Sequence, residues 1–165
     1  MQFAVTVSTQ DPTSGETNST KNNRVFFLAI AFLAVAGIAL SAVSLQRHYA
    51  KSASAFCDIG EKFNCDIVNR SEYSSLMGIP VAGIGVAGYA LLLALATLYR
   101  SRLGTPTRLL GAAIAGFGFA LYLTYIEGYV LGTWCILCLS SLGIIAAITI
   151  LASVVRIRSS VKISG

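Results

Sequence analysis

The stretch that most constrains this chain is Thr133 to Val155, TWCILCLSSLGIIAAITILASVV, which carries no charge and holds Cys135 and Cys138 near its start. An apolar run of this length reads as a helix crossing a bilayer, because a helix satisfies its own backbone polar groups where water is absent. Helical spacing predicts that the two thiols lie one turn apart on one face. Both fall in the first turn, where the partial positive charge of a helix N-terminus favours a thiolate. One reading is a reactive dithiol fixed in the mouth of a membrane helix. The other is a pair of inert cysteines packed as small hydrophobes.

The rest of the chain repeats the apolar pattern. Only 12% of residues are charged and the mean hydropathy is +0.73, against roughly 25% charged in a soluble domain. Val25–Leu45, Gly78–Tyr99 and Leu109–Ile126 are three further uncharged or nearly uncharged runs. With Thr133–Val155 they predict an all-α membrane protein, a four-transmembrane-helix bundle occupying 25–165. Residues 1–24 are mostly Ser, Thr, Asn and Gly without helical or strand periodicity, and predict a disordered tail. That tail is no signal peptide, since the apolar run after it is too long for an h-region. Between the first two runs lies a loop, Gln46 to Met77. Within it Ser71 is expected to cap a short helix with Tyr73, Leu76 and Met77 on one face, lying on the membrane surface and stopped by Gly78 and Pro80. Gly104 and Pro106 predict a turn before the third run, and Gly128 to Gly132 a minimal turn before the fourth.

Charge sets the expected orientation. Lys21, Arg24, Arg100, Arg102, Arg108, Arg156, Arg158 and Lys162 fall on one side, and Arg47, Lys51, Lys62 and Arg70 on the other. The positive-inside rule then puts both termini in the cytoplasm and the long loop outside, as in a multi-pass inner (plasma) membrane protein. All four cysteines come to the periplasmic or extracellular side, where disulfides form and persist. The excess of basic residues is spent on this asymmetry, and no aromatic residues interleave with it as on a nucleic-acid surface, so the expected surroundings are membrane lipid and no nucleic acid. A single histidine, His48, excludes a His-rich metal site. The small residues Gly83, Gly85, Ala87 and Gly88, then Gly111, Ala115, Gly116 and Gly118, are expected to let helix backbones approach in lipid.

Cys57 and Cys65 have seven residues between them in the loop, whereas Cys135 and Cys138 form C-x-x-C on a helix. A mobile pair beside a fixed pair suits an electron relay by thiol–disulfide exchange. Its final acceptor must be soluble in lipid, and a quinone fits. Leu139 follows the C-x-x-C where covalent haem attachment needs His. Zinc held by all four cysteines has the right ligand count, but a site in apolar sequence at the membrane boundary lacks outer hydrogen-bond donors, so no metal is expected. A purely structural Cys57–Cys65 disulfide in a membrane scaffold is the remaining reading.

From about Val25 to Val155 the chain resembles the vitamin K epoxide reductase family, in its bacterial form without a fused thioredoxin-like domain. The resemblance rests on Cys57 and Cys65, on CDIVNRSEYSSLMGIPVAGIGVAGY from Cys65 to Tyr89, and on YLTYIEGYVLGTWCILCLSS from Tyr122 to Ser141. It implies a quinone-dependent thiol oxidoreductase whose external loop caps the quinone site. The quinone would be of the ubiquinone, menaquinone or phylloquinone type. The resemblance also implies a route: a periplasmic thioredoxin-fold, DsbA-like partner reduces the loop pair at Cys57, Cys65 attacks Cys135, and Cys138 faces the quinone. Ser71 matches the family's loop serine. Ser74 stands where the animal enzymes have a quinone-binding Asn, and Leu142 where they have a Tyr, so quinone recognition must differ. The other activity implied is thiol-driven reduction of vitamin K quinone or epoxide. Around the dithiol, Tyr122, Tyr125, Tyr129 and Trp134 read either as an interfacial aromatic belt or, for Tyr122 and Trp134 above all, as contacts of the quinone ring. Glu127 reads as a solvated helix end or as a proton relay.

Overall fold

The computed structural model describes residues 13–49, 64–76, 78–99 and 104–164. In chain order they form α1 (Thr13–Tyr49), α2 (Cys65–Arg70), a 3-10 turn (Glu72–Ser74), β1 (Ser75–Leu76), β2 (Ile79–Pro80), α3 (Val81–Thr97), α4 (Thr105–Ile126), a π-helical turn (Glu127–Leu131) and α5 (Ile136–Ser164). The architecture is an all-α bundle. α1 packs on α3 and α5, and α4 on α5 and α3, which closes a ring of four helices.

Three helical stretches among the described residues are long and apolar enough to cross a membrane: Arg24–Tyr49, Thr105–Leu131 and Ile136–Val161. The fourth, Val81–Thr97, is a shorter apolar helix of 17 residues. At about 1.5 Å per residue it is about 26 Å long, somewhat under a hydrocarbon core of about 30 Å.

Small side chains set how closely the helices meet. A Cβ at Gly37 would stand 2.4 Å from the Tyr89 ring, and one at Gly85 would stand 2.8 Å from the Ser41 hydroxyl. α1 and α3 are therefore in contact through positions where only hydrogen fits. On the other side Thr149 Oγ1 of α5 donates to the Ala113 carbonyl of α4 at 3.3 Å. Ile30, Ala34, Leu92, Leu109, Ala113, Ile148 and Val155 fill the interior, while Phe32, Ile114, Ile150 and Ile157 point outward. An apolar exterior of this kind suits lipid. The Arg158 guanidinium lies 4.8 Å from the centroid of the Phe26 ring, a cation–π contact that joins the start of α1 to the end of α5. Arg24, Arg108, Arg156 and Arg158 thus share the end of the bundle away from the cysteines.

The elements differ from their sequence expectations in four places. α1 begins at Thr13 and takes in residues expected in an unstructured tail; nothing from Glu16 to Arg24 breaks a helix. After Ser71 there is one 3-10 turn and a two-residue antiparallel ladder, Ser75 with Pro80 and Leu76 with Ile79, in place of a surface helix. Gly78 adopts φ +83°, a left-handed conformation that turns the chain back. The Ser71 hydroxyl does not cap that turn but donates to the Val68 carbonyl at 2.8 Å. Finally, α4 starts four residues before Leu109 and runs on through the π turn, because Pro106 sits in its first turn, where a missing N–H costs nothing. Cys57 lies outside the described residues.

Candidate functional site

The site is built where α2, the π turn and the start of α5 meet. α2 was not foreseen as a helix. Its start is capped by Asn64, whose Oδ1 accepts the Ile67 N–H at 3.1 Å. The Asn64 N–H in turn donates to the Trp134 carbonyl at 3.2 Å. This bridge holds the residue before Cys65 against the residue before Cys135. Cys65 and Cys135, 1% and 0% exposed, share one buried cluster with Val68 and Leu137. Cys135 and Cys138 are free thiols.

Cys135 occupies the N-cap of α5: its carbonyl accepts the Leu139 N–H at 3.0 Å. The two sulfurs of the C-x-x-C lie within 4.8 Å of each other. They nevertheless face different surroundings. Cys135 is sealed against Cys65, whereas Cys138 lines a cavity in the bundle.

Glu127 completes this group, at 2% exposure rather than as a solvated helix end. It opens the π turn, and its main-chain carbonyl accepts the Thr133 N–H at 3.2 Å. Gly132, at φ +61°, ends the turn in the left-handed conformation that lets the chain reverse into α5. The carboxylate Oε2 accepts the Cys135 N–H at 3.2 Å, and a carboxylate oxygen lies within 4.8 Å of the Cys138 sulfur. The carboxyl thus satisfies a donor at the helix N-terminus and stands at the sulfur facing the cavity.

The cavity measures about 400 Å³, within the roughly 300–1,000 Å³ of small-molecule sites. Its walls are mostly apolar, from Leu40, Ile84, Leu92, Phe119, Leu123 and Ile145, with Cys138 and Glu127 among its polar lining. Ser71 and Ser74 line it as expected, but their protons are already placed. Ser74 Oγ donates to the Ser71 carbonyl at 2.6 Å, and Ser71 Oγ donates to the Val68 carbonyl. His48 Nδ1 donates to the Asn69 carbonyl at 2.6 Å and lies 3.3 Å from Ser74 Oγ. Tyr89 Oη is 2.9 Å from both the carbonyl and the hydroxyl of Ser141.

Of the expected quinone-contacting residues, Cys138, Ser71 and Ser74 border the cavity, and Tyr122 and Trp134 do not. Tyr122 is exposed on α4, and Trp134 packs its ring over Gly128. Tyr125 and Tyr129 are exposed and stack at 4.8 Å, an arrangement suited to an interfacial belt. His48, Asn69, Tyr89 and Ser141 line the cavity without having been anticipated. His48, a lone polar ring ending an apolar run, was the one legible signal among them.

For metal binding, the sulfurs of Cys135 and Cys138 and a carboxylate oxygen of Glu127 lie within 4.8 Å of one another. A Cys135–Cys138 disulfide removes two of those three donors, so a pair that cycles through a disulfide offers no permanent metal site. For a quinone the fit is better: a mostly apolar cavity with a thiol in its wall and a buried amide, Nδ2 of Asn69, without a hydrogen-bond partner among the described residues.

The model of the Vitamin K epoxide reductase family matches residues 28–153. No curated protein matches the chain.

Proposed function

Because the chain belongs to the vitamin K epoxide reductase family, whose members are membrane oxidoreductases linked to quinone, we propose that it generates disulfides. Two electrons pass from a thioredoxin-fold, DsbA-like partner outside the cytoplasm, through two cysteine pairs, to a quinone. The observation that carries this reading is the division between neighbouring thiols: Cys135 faces Cys65, and Cys138 faces the cavity.

The steps follow from that division. The partner's dithiol reduces a Cys57–Cys65 disulfide and leaves as the partner disulfide. The Cys65 thiolate attacks Cys135 of the oxidised C-x-x-C, breaking its S–S bond and releasing Cys138 as thiolate. Cys57 then attacks Cys65, restores the loop disulfide and frees Cys135. Two electrons and two protons now sit on Cys135 and Cys138. A bound quinone supplies the lipid-soluble two-electron sink. Glu127 holds or accepts the Cys138 proton at its carboxylate and, by taking the Cys135 N–H, keeps the N-cap sulfur aimed at Cys65. The apolar walls exclude water from the exchange. The basic residues at the opposite end of the bundle support an outward-facing site.

The test is a disulfide trap in membranes. In Cys138→Ala protein, Cys135 should accumulate as a mixed disulfide with Cys65, and quinone reduction by a reduced thioredoxin-fold protein should stop. A Cys65–Cys138 disulfide in Cys135→Ala protein at equal yield would overturn the order of the sulfurs. Faster thiol-driven turnover of vitamin K epoxide than of the protein partner would favour the other activity of the family.

A further inference from the structure

The Asn69 side chain is the polar group the mechanism leaves unused. Asn69 is 7% exposed and lines the cavity, and its Nδ2 is buried without a hydrogen-bond partner among the described residues. A buried amide N–H left unmade costs free energy, and native interiors rarely leave one so. The hydroxyl protons of Ser71 and Ser74 go to carbonyls, and the phenol of Tyr89 goes to Ser141. His48 places its Nδ1–H on the Asn69 carbonyl. That same bond ties α2 to the end of α1, so the amide is held in place.

We propose that the Asn69 amide donates to a carbonyl oxygen of the quinone ring and sets the ring's orientation in the cavity. This deepens the quinone reading and rests on it. A quinone ring offers acceptors only. Ser71, Ser74 and Tyr89 have spent their protons on the protein, and the buried, open N–H of Asn69 is a donor matched to such a ligand. Asn69 is a binding residue here, and the cysteines keep the chemistry.

The experiment compares two probes, 1,4-naphthoquinone and naphthalene, which share a ring system and differ in the carbonyl oxygens. Their Kd values are measured by calorimetry on the full chain in detergent, for the wild type, Asn69→Leu and Asn69→Asp. Asn69→Leu removes the amide at similar volume, and Asn69→Asp keeps the shape while removing the donor, so either variant that folds decides the matter. The expected result is about a tenfold loss of naphthoquinone affinity, equivalent to ~1.4 kcal/mol, with naphthalene unchanged. An equal loss for both probes, or no loss for either, overturns the assignment and makes Asn69 a wall of the cavity. Failure of the wild type to prefer naphthoquinone over naphthalene overturns the quinone reading itself.

Discussion

Replacing Glu127 separates what its carboxyl does for the fold from what it does for the reaction. Glu127→Gln keeps an oxygen that can accept the Cys135 N–H now held at 3.2 Å by Oε2, and removes the exchangeable proton beside Cys138. Glu127→Leu removes both. The Cys135 N–H is buried at the start of α5, so losing its acceptor should cost about 1–3 kcal/mol, whereas Gln should stay within about 1 kcal/mol of the wild type. Proton transfer by a positioned side chain contributes roughly 10²–10⁴-fold to rate, or about 3–5 kcal/mol of barrier at 1.36 kcal/mol per decade. Turnover to quinone should therefore fall by that factor in both variants, while thermal stability falls only in Leu. Two assays decide it: quinone reduction in liposomes, and unfolding in detergent followed by the fluorescence of Trp134, the chain's one tryptophan. A Gln variant that turns over like the wild type would refute the proton role. A Gln variant destabilised as much as Leu would refute the capping argument.

Two further outcomes follow from contacts on other faces. Gly37→Ala places a Cβ 2.4–2.6 Å from three atoms of the Tyr89 ring; overpacking of this kind costs about 1–3 kcal/mol, so the unfolding midpoint should drop, and Tyr89→Leu in the same chain should restore part of it. A membrane-impermeant thiol reagent applied to intact, reduced cells should label Cys57 before Cys65, which is buried; labelling that needs lysis would place the site in the cytoplasm.

What was legible in the sequence is what repeats or lacks charge. The apolar runs marked the four helices of the bundle, since an uncharged run in lipid has few conformations open to it. Their ends were less legible: Pro106 reads as a breaker in isolation, yet in a first turn it starts α4. The C-x-x-C announced the dithiol, and helical spacing put both thiols at the start of α5. The spacing could not show that Cys135 would be sealed and Cys138 would open on a cavity, because that depends on α2, whose Cys65 lies 70 residues earlier in the chain. The cap that opens α2 is a single side chain, Asn64, too small a signal to mark a six-residue helix in the sequence. Glu127 looked like a solvated end because helix ends usually are; its burial comes from the π turn, which folds the carboxyl under Cys135.

In the proposed relay, the position of Cys135 as an N-cap sets the direction. An N-cap residue stands half outside its helix, so its side chain meets the chain segments packed against the helix start. Here those segments are Asn64 and Cys65, held by the bond from Asn64 to the Trp134 carbonyl. The residue three positions later lies fully within the first turn, and its side chain falls on the helix flank facing the bundle. One turn of helix therefore separates a sulfur in contact with a protein thiol from a sulfur in contact with the bundle interior. In the proposed relay, exchange along the C-x-x-C is between sulfurs within 4.8 Å of each other. Inserting or removing one residue between Cys135 and Cys138 would rotate the second thiol about 100° around the helix and off the cavity wall, leaving Cys135 without the disulfide partner that the proposed relay needs to accept electrons from the loop pair.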